Sequence, residues 1–157
     1  MNSPEGQRFT PLRPDSHRGI YASTTLLTAG AEFAGSVAKW ELGDCANAVI
    51  FTMVARLKSL LDLWDPKVRE QLGTTRAELQ SPWLGYFKMF GTWPPTWTLG
   101  KAVFDSGRFD GIRFFSNRNA PNGRNALVFT DRLDGSESYV RIYDQNGSLL
   151  ESIPPSF

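Results

Sequence analysis

Residues 109–143, FDGIRFFSNRNAPNGRNALVFTDRLDGSESYVRIY, decide the fold class. Three runs in this stretch are short, apolar and rich in β-branched or aromatic residues: Ile112–Phe115, Ala126–Thr130 and Tyr139–Tyr143. Such runs pack well on a pleated, half-buried surface and read as strands. Asn122-Gly123 and Asp134-Gly135 lie between them, and these dipeptides favour tight hairpin turns. The stretch therefore predicts three antiparallel strands in a meander.

Toward the N-terminus the pattern turns helical. Thr96–Ser106 reads as a helix stopped by Gly107, and Trp83–Phe90 and Thr75–Ser81 as further helical turns. Asp65-Pro66 opens a helix that Gly73 stops. Leu60–Leu63 predicts a short strand, and the apolar run Ala48–Val54 a buried one. A helix is predicted from an N-cap at Thr24 to Trp40, ended by Gly43, with Leu26, Gly30, Phe33, Val37 and Trp40 as its buried stripe. Gly19–Ala22 predicts a strand that Tyr21 ends, after an irregular entry over residues 1–18. Helices in the middle and strands at the end predict an α+β class rather than a doubly wound sheet. The expected arrangement is a single compact domain over 1–157, with a central mixed or antiparallel sheet flanked by helices. Residues 134–157 would supply a terminal strand and tail.

The 157 residues carry 17 Lys and Arg against 16 Asp and Glu, a net charge of +1, with no long run of one sign. That pattern argues against a direct nucleic-acid footprint and against an acidic tail. A hydrophobic fraction of 41% suffices for a core. Cys45 is the single cysteine, so no disulfide forms within the chain. No apolar stretch is long enough for a bilayer helix, and MNSPEGQRF lacks the features of a secretory signal. The chain is expected to be soluble, without a membrane partner.

His17 is the sole histidine, so a zinc site would need carboxylates for nearly all its ligands, and a Ser-His-Asp triad would depend on a residue in a polar loop between two arginines. It reads more simply as a solvated loop histidine. HExxH, Walker A and GxGxxG patterns are missing. What remains is Arg8, Tyr21, Glu32 and Ser116. By residue type these suit an anionic ligand that carries a ring: guanidinium grips phosphate, a tyrosine stacks on a flat ring, and carboxylate accepts from ribose hydroxyls. Glu32 falls off the apolar stripe of its helix, beside Thr25, Thr28, Ala29, Gly35 and Ser36, whose small side chains leave room for approach. Each residue also has a structural reading. Arg8 would pair with a surface acid, Tyr21 fill the core, Glu32 face solvent and Ser116 close a strand.

The segments Gly6-Gln7-Arg8-Phe9-Thr10-Pro11, Gly19-Ile20-Tyr21-Ala22-Ser23 and Thr28-Ala29-Gly30-Ala31-Glu32 together resemble the opening of RES domains, a family named for its Arg, Glu and Ser. Glu32 follows Tyr21 at the family's spacing. Leu60-Leu61-Asp62-Leu63 before Asp65-Pro66, Thr98-Leu99-Gly100, and the stretches Phe109–Ser116 and Asn125–Phe129 resemble later family segments in the same order. Trp97 stands where the family has Gln, and Phe115 where it usually has Pro. The resemblance covers residues 6–133.

The resemblance implies an ADP-ribosyltransferase-like fold that binds NAD⁺ as substrate, without a metal. It implies a toxin that cleaves the nicotinamide–ribose bond by hydrolysis or phosphorolysis; alternatives are ADP-ribosylation of a protein target and a silent nucleotide-binding module. Arg8 and Glu32 would be catalytic, and Arg8, Tyr21 and Ser116 would bind NAD⁺. Arg8 would hold the diphosphate, Tyr21 the nicotinamide, and Glu32 the ribose 2′-hydroxyl and developing cation. Ser116 would bond to the nicotinamide side or orient Glu32, and Asn125 would be structural. The implied partner is a cognate antitoxin of Xre type or an immunity protein. The implied place of action is the cytoplasm, of the producing cell or of a target cell.

Overall fold

The computed structural model describes residues 6–40 and 49–155, and within the helix that ends this first segment, side chains up to Gly35. The elements are β1 (Gly19–Ser23), α1 (Leu26–Trp40), β2 (Thr52–Arg56), β3 (Leu60–Asp62), α2 (Pro66–Gln71), α3 (Arg76–Leu79), α4 (Trp83–Phe90), α5 (Pro95–Asp105), β4 (Gly111–Phe115), β5 (Arg124–Phe129), β6 (Tyr139–Tyr143) and β7 (Leu149–Ile153). The class is mixed α+β, as expected. One sheet has the order β1-β5-β4-β3 and the other β2-β6-β7. The first is mixed, because β3 runs parallel to β4 while the other neighbours are antiparallel. The second is antiparallel throughout.

Local chemistry explains the starts of the two shortest α-helices. Asp65 caps α2 by accepting from the Lys67 amide, with Pro66 at the first helical position. Thr75 caps α3 by accepting from the Glu78 amide. The core gathers Phe9, Leu61, Leu63, Val103, Ile112 and Phe129 between the mixed sheet and α5. Asp110, at the foot of β4, accepts from the backbone amides of Lys58 (2.6 Å) and Ser59 (3.3 Å) and so pins the entry to β3.

The expected meander is corrected. β4 and β5 do pair, but β5 and β6 belong to different sheets. The Asp134-Gly135 turn therefore links two sheets rather than closing a hairpin. Asp134 accepts from the amides of Ser138, Ser136 and Glu137, which holds its carboxyl down at about 2. The hairpin partner of β6 is β7, across a turn in which Asp144 accepts from the Asn146 and Ser148 amides.

Two further expectations are overturned. The run before Val54 is not a buried strand: Val49, Ile50 and Phe51 are exposed, and β2 begins only at Thr52. The stripe assigned to α1 points the wrong way, since Leu26 and Phe33 are exposed while Thr28 is 1% exposed. Hydrogen bonds decide that phase: Thr28 Oγ1 accepts from Asn119 Nδ2 at 2.9 Å and shares a second bond with Thr25 Oγ1. The small, polar face of α1 thus packs on the loop after β4. The helix starts at Leu26, with Thr25 accepting from the Thr28 amide, whereas Thr24 bonds to the Arg124 carbonyl. The stop assigned to Gly43, and Ala48, lie outside the described residues, as do the side chains of Ser36, Val37 and Trp40.

Candidate active site

Arg8 sits at the tip of a tight turn. Gln7 and Thr10 exchange backbone hydrogen bonds of 2.8 and 3.1 Å across it. Gly6 enters it at φ 73°, a conformation that favours glycine. α5 holds the turn from beneath, where Trp97 Nε1 donates to the Gln7 carbonyl at 2.7 Å. Gly100 lies so close that a Cβ there would stand 1.9 Å from the Phe9 carbonyl oxygen. Arg8 Nη1 in turn donates to the carbonyls of Leu79 (2.6 Å) and Ser81 (3.3 Å) at the end of α3. Burial pushes the guanidinium pKa down, the charges of Glu32 and Tyr21 oppose this, and Arg118 adds to it. No surface acid is needed to explain its position.

Tyr21 lies in the middle of β1, not at its end. Its hydroxyl accepts from the Phe9 amide at 3.0 Å and shares a bond with Thr10 Oγ1 at 2.9 Å. Thr10 Oγ1 is in turn 3.3 Å from His17 Nε2. Burial pushes the phenol up to about 12, against those bonds and the Arg8 charge. Tyr21 is therefore a neutral phenol at physiological pH, tied by its tip to the Arg8 turn. His17 is not a solvated loop residue: it is 4% exposed and stacks on Phe104 with ring centroids 4.8 Å apart.

Glu32 is reached from two strands. Ser116 Oγ, just beyond β4, donates to Glu32 Oε1 at 2.7 Å, and Asn125 Nδ2, on β5, donates to the same oxygen at 2.8 Å. Ser116 is 1% exposed, and its hydroxyl also accepts from the amides of Arg118 and Asn119, each at 3.1 Å. Of the two roles expected for Ser116, this geometry matches orientation of Glu32. Asn125, expected to be structural, touches the candidate carboxylate directly. It reaches Glu32 from its place opposite Ser23 in the β1–β5 register, which only the fold sets.

Arg8, Tyr21, Glu32 and Asn125 line one cavity of about 1200 Å³. That is larger than the roughly 300–1,000 Å³ of sites for drug-sized ligands. Lys88 and Arg118 bring further positive charge to its wall, and Phe51, Trp83 and Phe114 bring rings. The exposed run Val49–Phe51 is thus apolar because it lines this cavity. Along α1 the wall runs from Ala29 and Gly30 through Glu32 and Phe33 to Gly35. Among the described residues, no group of three or more His, Cys, Asp or Glu side chains could hold a metal ion, and no helix is long and apolar enough to cross a membrane.

The sequence model of one family, the RES domain, matches residues 1–149, nearly the whole chain. The chain belongs to the RES domain family. RES domains are associated at a general level with NAD⁺-linked toxin function. No curated relative and no solved structure matches the chain. The match extends past the resembling segments to include β6.

Proposed function

We propose that this RES domain binds NAD⁺ in the cavity and cleaves its nicotinamide–ribose bond, depleting the dinucleotide as a toxin. The observation that carries the reading is Glu32: its carboxylate is held by Ser116 and Asn125 on the wall that also presents Arg8 and Tyr21. Three cations on that wall, Arg8, Lys88 and Arg118, suit a diphosphate. The rings of Tyr21 and Phe114 offer apolar surface to nicotinamide.

Nicotinamide leaves as a neutral molecule from a cationic ring, so cleavage needs neither a general acid nor a Lewis acid. As the bond breaks, positive charge grows on the ribose, as in glycoside hydrolysis. A fixed carboxylate beside the ribose stabilises that charge without reorganising. Water, phosphate or a protein side chain then completes the reaction.

The test is incubation of purified protein with NAD⁺, with and without phosphate, and identification of every product by mass. The expected result is free nicotinamide with ADP-ribose or its phosphorylated counterpart, at a rate that a chelator leaves unchanged. Intact NAD⁺ under all conditions would overturn the reading. Transfer of ADP-ribose only to an added protein would replace it with a transferase. In cells, expression should arrest growth in the cytoplasm unless a cognate antitoxin or immunity protein is made as well.

A further inference from the structure

Granting Glu32 the ribose-facing role above, we infer that Ser23 and Asn125 form a positioning pair that fixes the direction of the Glu32 carboxylate. A side-chain amide has two ends of opposite polarity. Its amine end attracts a carboxylate and its oxygen end repels one. Which end meets Glu32 is set by Ser23, whose Oγ donates to Asn125 Oδ1 at 2.8 Å. The two residues are direct partners in the β1–β5 register, so the strands deliver this contact. With its oxygen held there, Asn125 turns its amine to Glu32 Oε1 at 2.8 Å. Asn125 is 8% exposed, which leaves little room for water to substitute for either contact.

Ser116 approaches the same oxygen from the end of β4, at 2.7 Å. Two donors converging on Oε1 from different strands mean that the carboxylate cannot rotate without losing both bonds. The direction of Oε2 is thereby fixed relative to the cavity that Glu32 lines. Ser116 supplies one of these donors without any intermediary. Asn125 supplies the other only while Ser23 keeps the amide from flipping.

Asn125→Asp tests the pair directly. Asp keeps the shape and still accepts from Ser23, but it replaces the amine with a carboxyl oxygen facing Glu32. With one proton between them the two carboxyls reproduce a donor and an acceptor; with none they repel. The ionisable groups around them are Arg8 from the N-terminal turn, Tyr21 from β1, Lys88 from α4 and Arg118 from the loop after β4. All are common to wild type and variant, so the difference between the two pH profiles isolates position 125. The expected result is a kcat about 30-fold below wild type at pH 8 and within about five-fold of it at pH 5.5, with KM changed by no more than about two-fold. Melting temperature should follow the same order, with the variant losing more than wild type as pH rises.

Ser23→Ala should lower kcat by about five-fold at unchanged KM, and Ser23→Thr, which keeps the hydroxyl, should restore it. A pH-independent loss in Asn125→Asp, or wild-type kcat in Ser23→Ala, would overturn the pairing. If Asn125→Asp fails to fold, the two Ser23 variants decide. If wild type leaves NAD⁺ intact, the proposed reaction fails, and the pH dependence of melting still decides whether Asn125 holds Glu32.

Discussion

Ser116 Oγ stands 2.7 Å from Glu32 Oε1 and joins the end of β4 to the middle of α1. The same hydroxyl accepts from the Arg118 and Asn119 amides, so one buried atom sets both the carboxylate and the loop beside it. Ser116→Ala removes all three contacts. Two backbone amides then lose their acceptor, and the expected loss of stability is about 1–3 kcal/mol, measured by urea denaturation. Glu32 lines the cavity and Ser116 touches Glu32, so under the proposed reaction kcat should fall much more than KM rises. A rise in KM at unchanged kcat would mean that Ser116 binds substrate itself.

Gly100 explains a feature of the sequence that composition does not. α5 packs against the Phe9 backbone so closely that the smallest side chain would overlap its carbonyl. Gly100→Ala should cost about 3 kcal/mol in urea denaturation, the upper part of the overpacking range, despite the gain in helix propensity. It should also displace the Arg8 turn and weaken nucleotide binding. Gly30→Ala on α1 is the contrast, since among the described residues nothing lies within 4 Å of a Cβ there. That variant should be stabilised by about 0.5–1 kcal/mol.

The legible parts of this fold are those whose chemistry is local. Asp65-Pro66 and Thr75 cap their helices because the acceptor and the amide are neighbours in the chain. Glu32 was recognisable by the small residues around it on α1. The phase of that helix was not, because its inward face is chosen by Asn119 and Ser116, far away in sequence. An apolar stripe does not by itself announce burial in the core: Leu26 and Phe33 stay exposed, and Phe33 lines the cavity. Ile50 and Phe51 mislead for a related reason, since a cavity wall and a core demand the same residue types. Asn125 reads from the sequence as structural, and its contact with Glu32 is not legible there because it needs the β1–β5 register, which no local pattern encodes.

His17 predicts an acid limit to stability. Burial, helped by Lys101, pushes it down from 6.5 to about 4, against Asp105 and Asp131. The fold therefore favours the neutral ring. Its contribution is fully present above pH 6.5 and is lost as pH falls through about 4. Melting temperature should decline across that window. His17→Phe keeps an aromatic ring against Phe104 and has nothing to protonate, so its decline should be shallower than that of wild type. Parallel curves would show that His17 does not resist protonation.

Glu32→Gln separates charge from shape. Gln keeps the length of the side chain and one acceptor oxygen, which Ser116 and Asn125 continue to engage. Helix propensity changes by only a few tenths of a kcal/mol, so the melting curve should move little. What disappears is the negative charge that the proposed reaction sets beside the ribose. Ground-state ribose is neutral and the transition state is cationic, so the loss falls on kcat rather than on binding. If the charge contributes about 3 kcal/mol to the transition state, cleavage of NAD⁺ slows on the order of 100-fold. Near-wild-type cleavage with an unchanged melting curve would remove Glu32 from the chemistry. A variant that binds NAD⁺ normally and barely cleaves it would place the carboxylate at the reacting ribose.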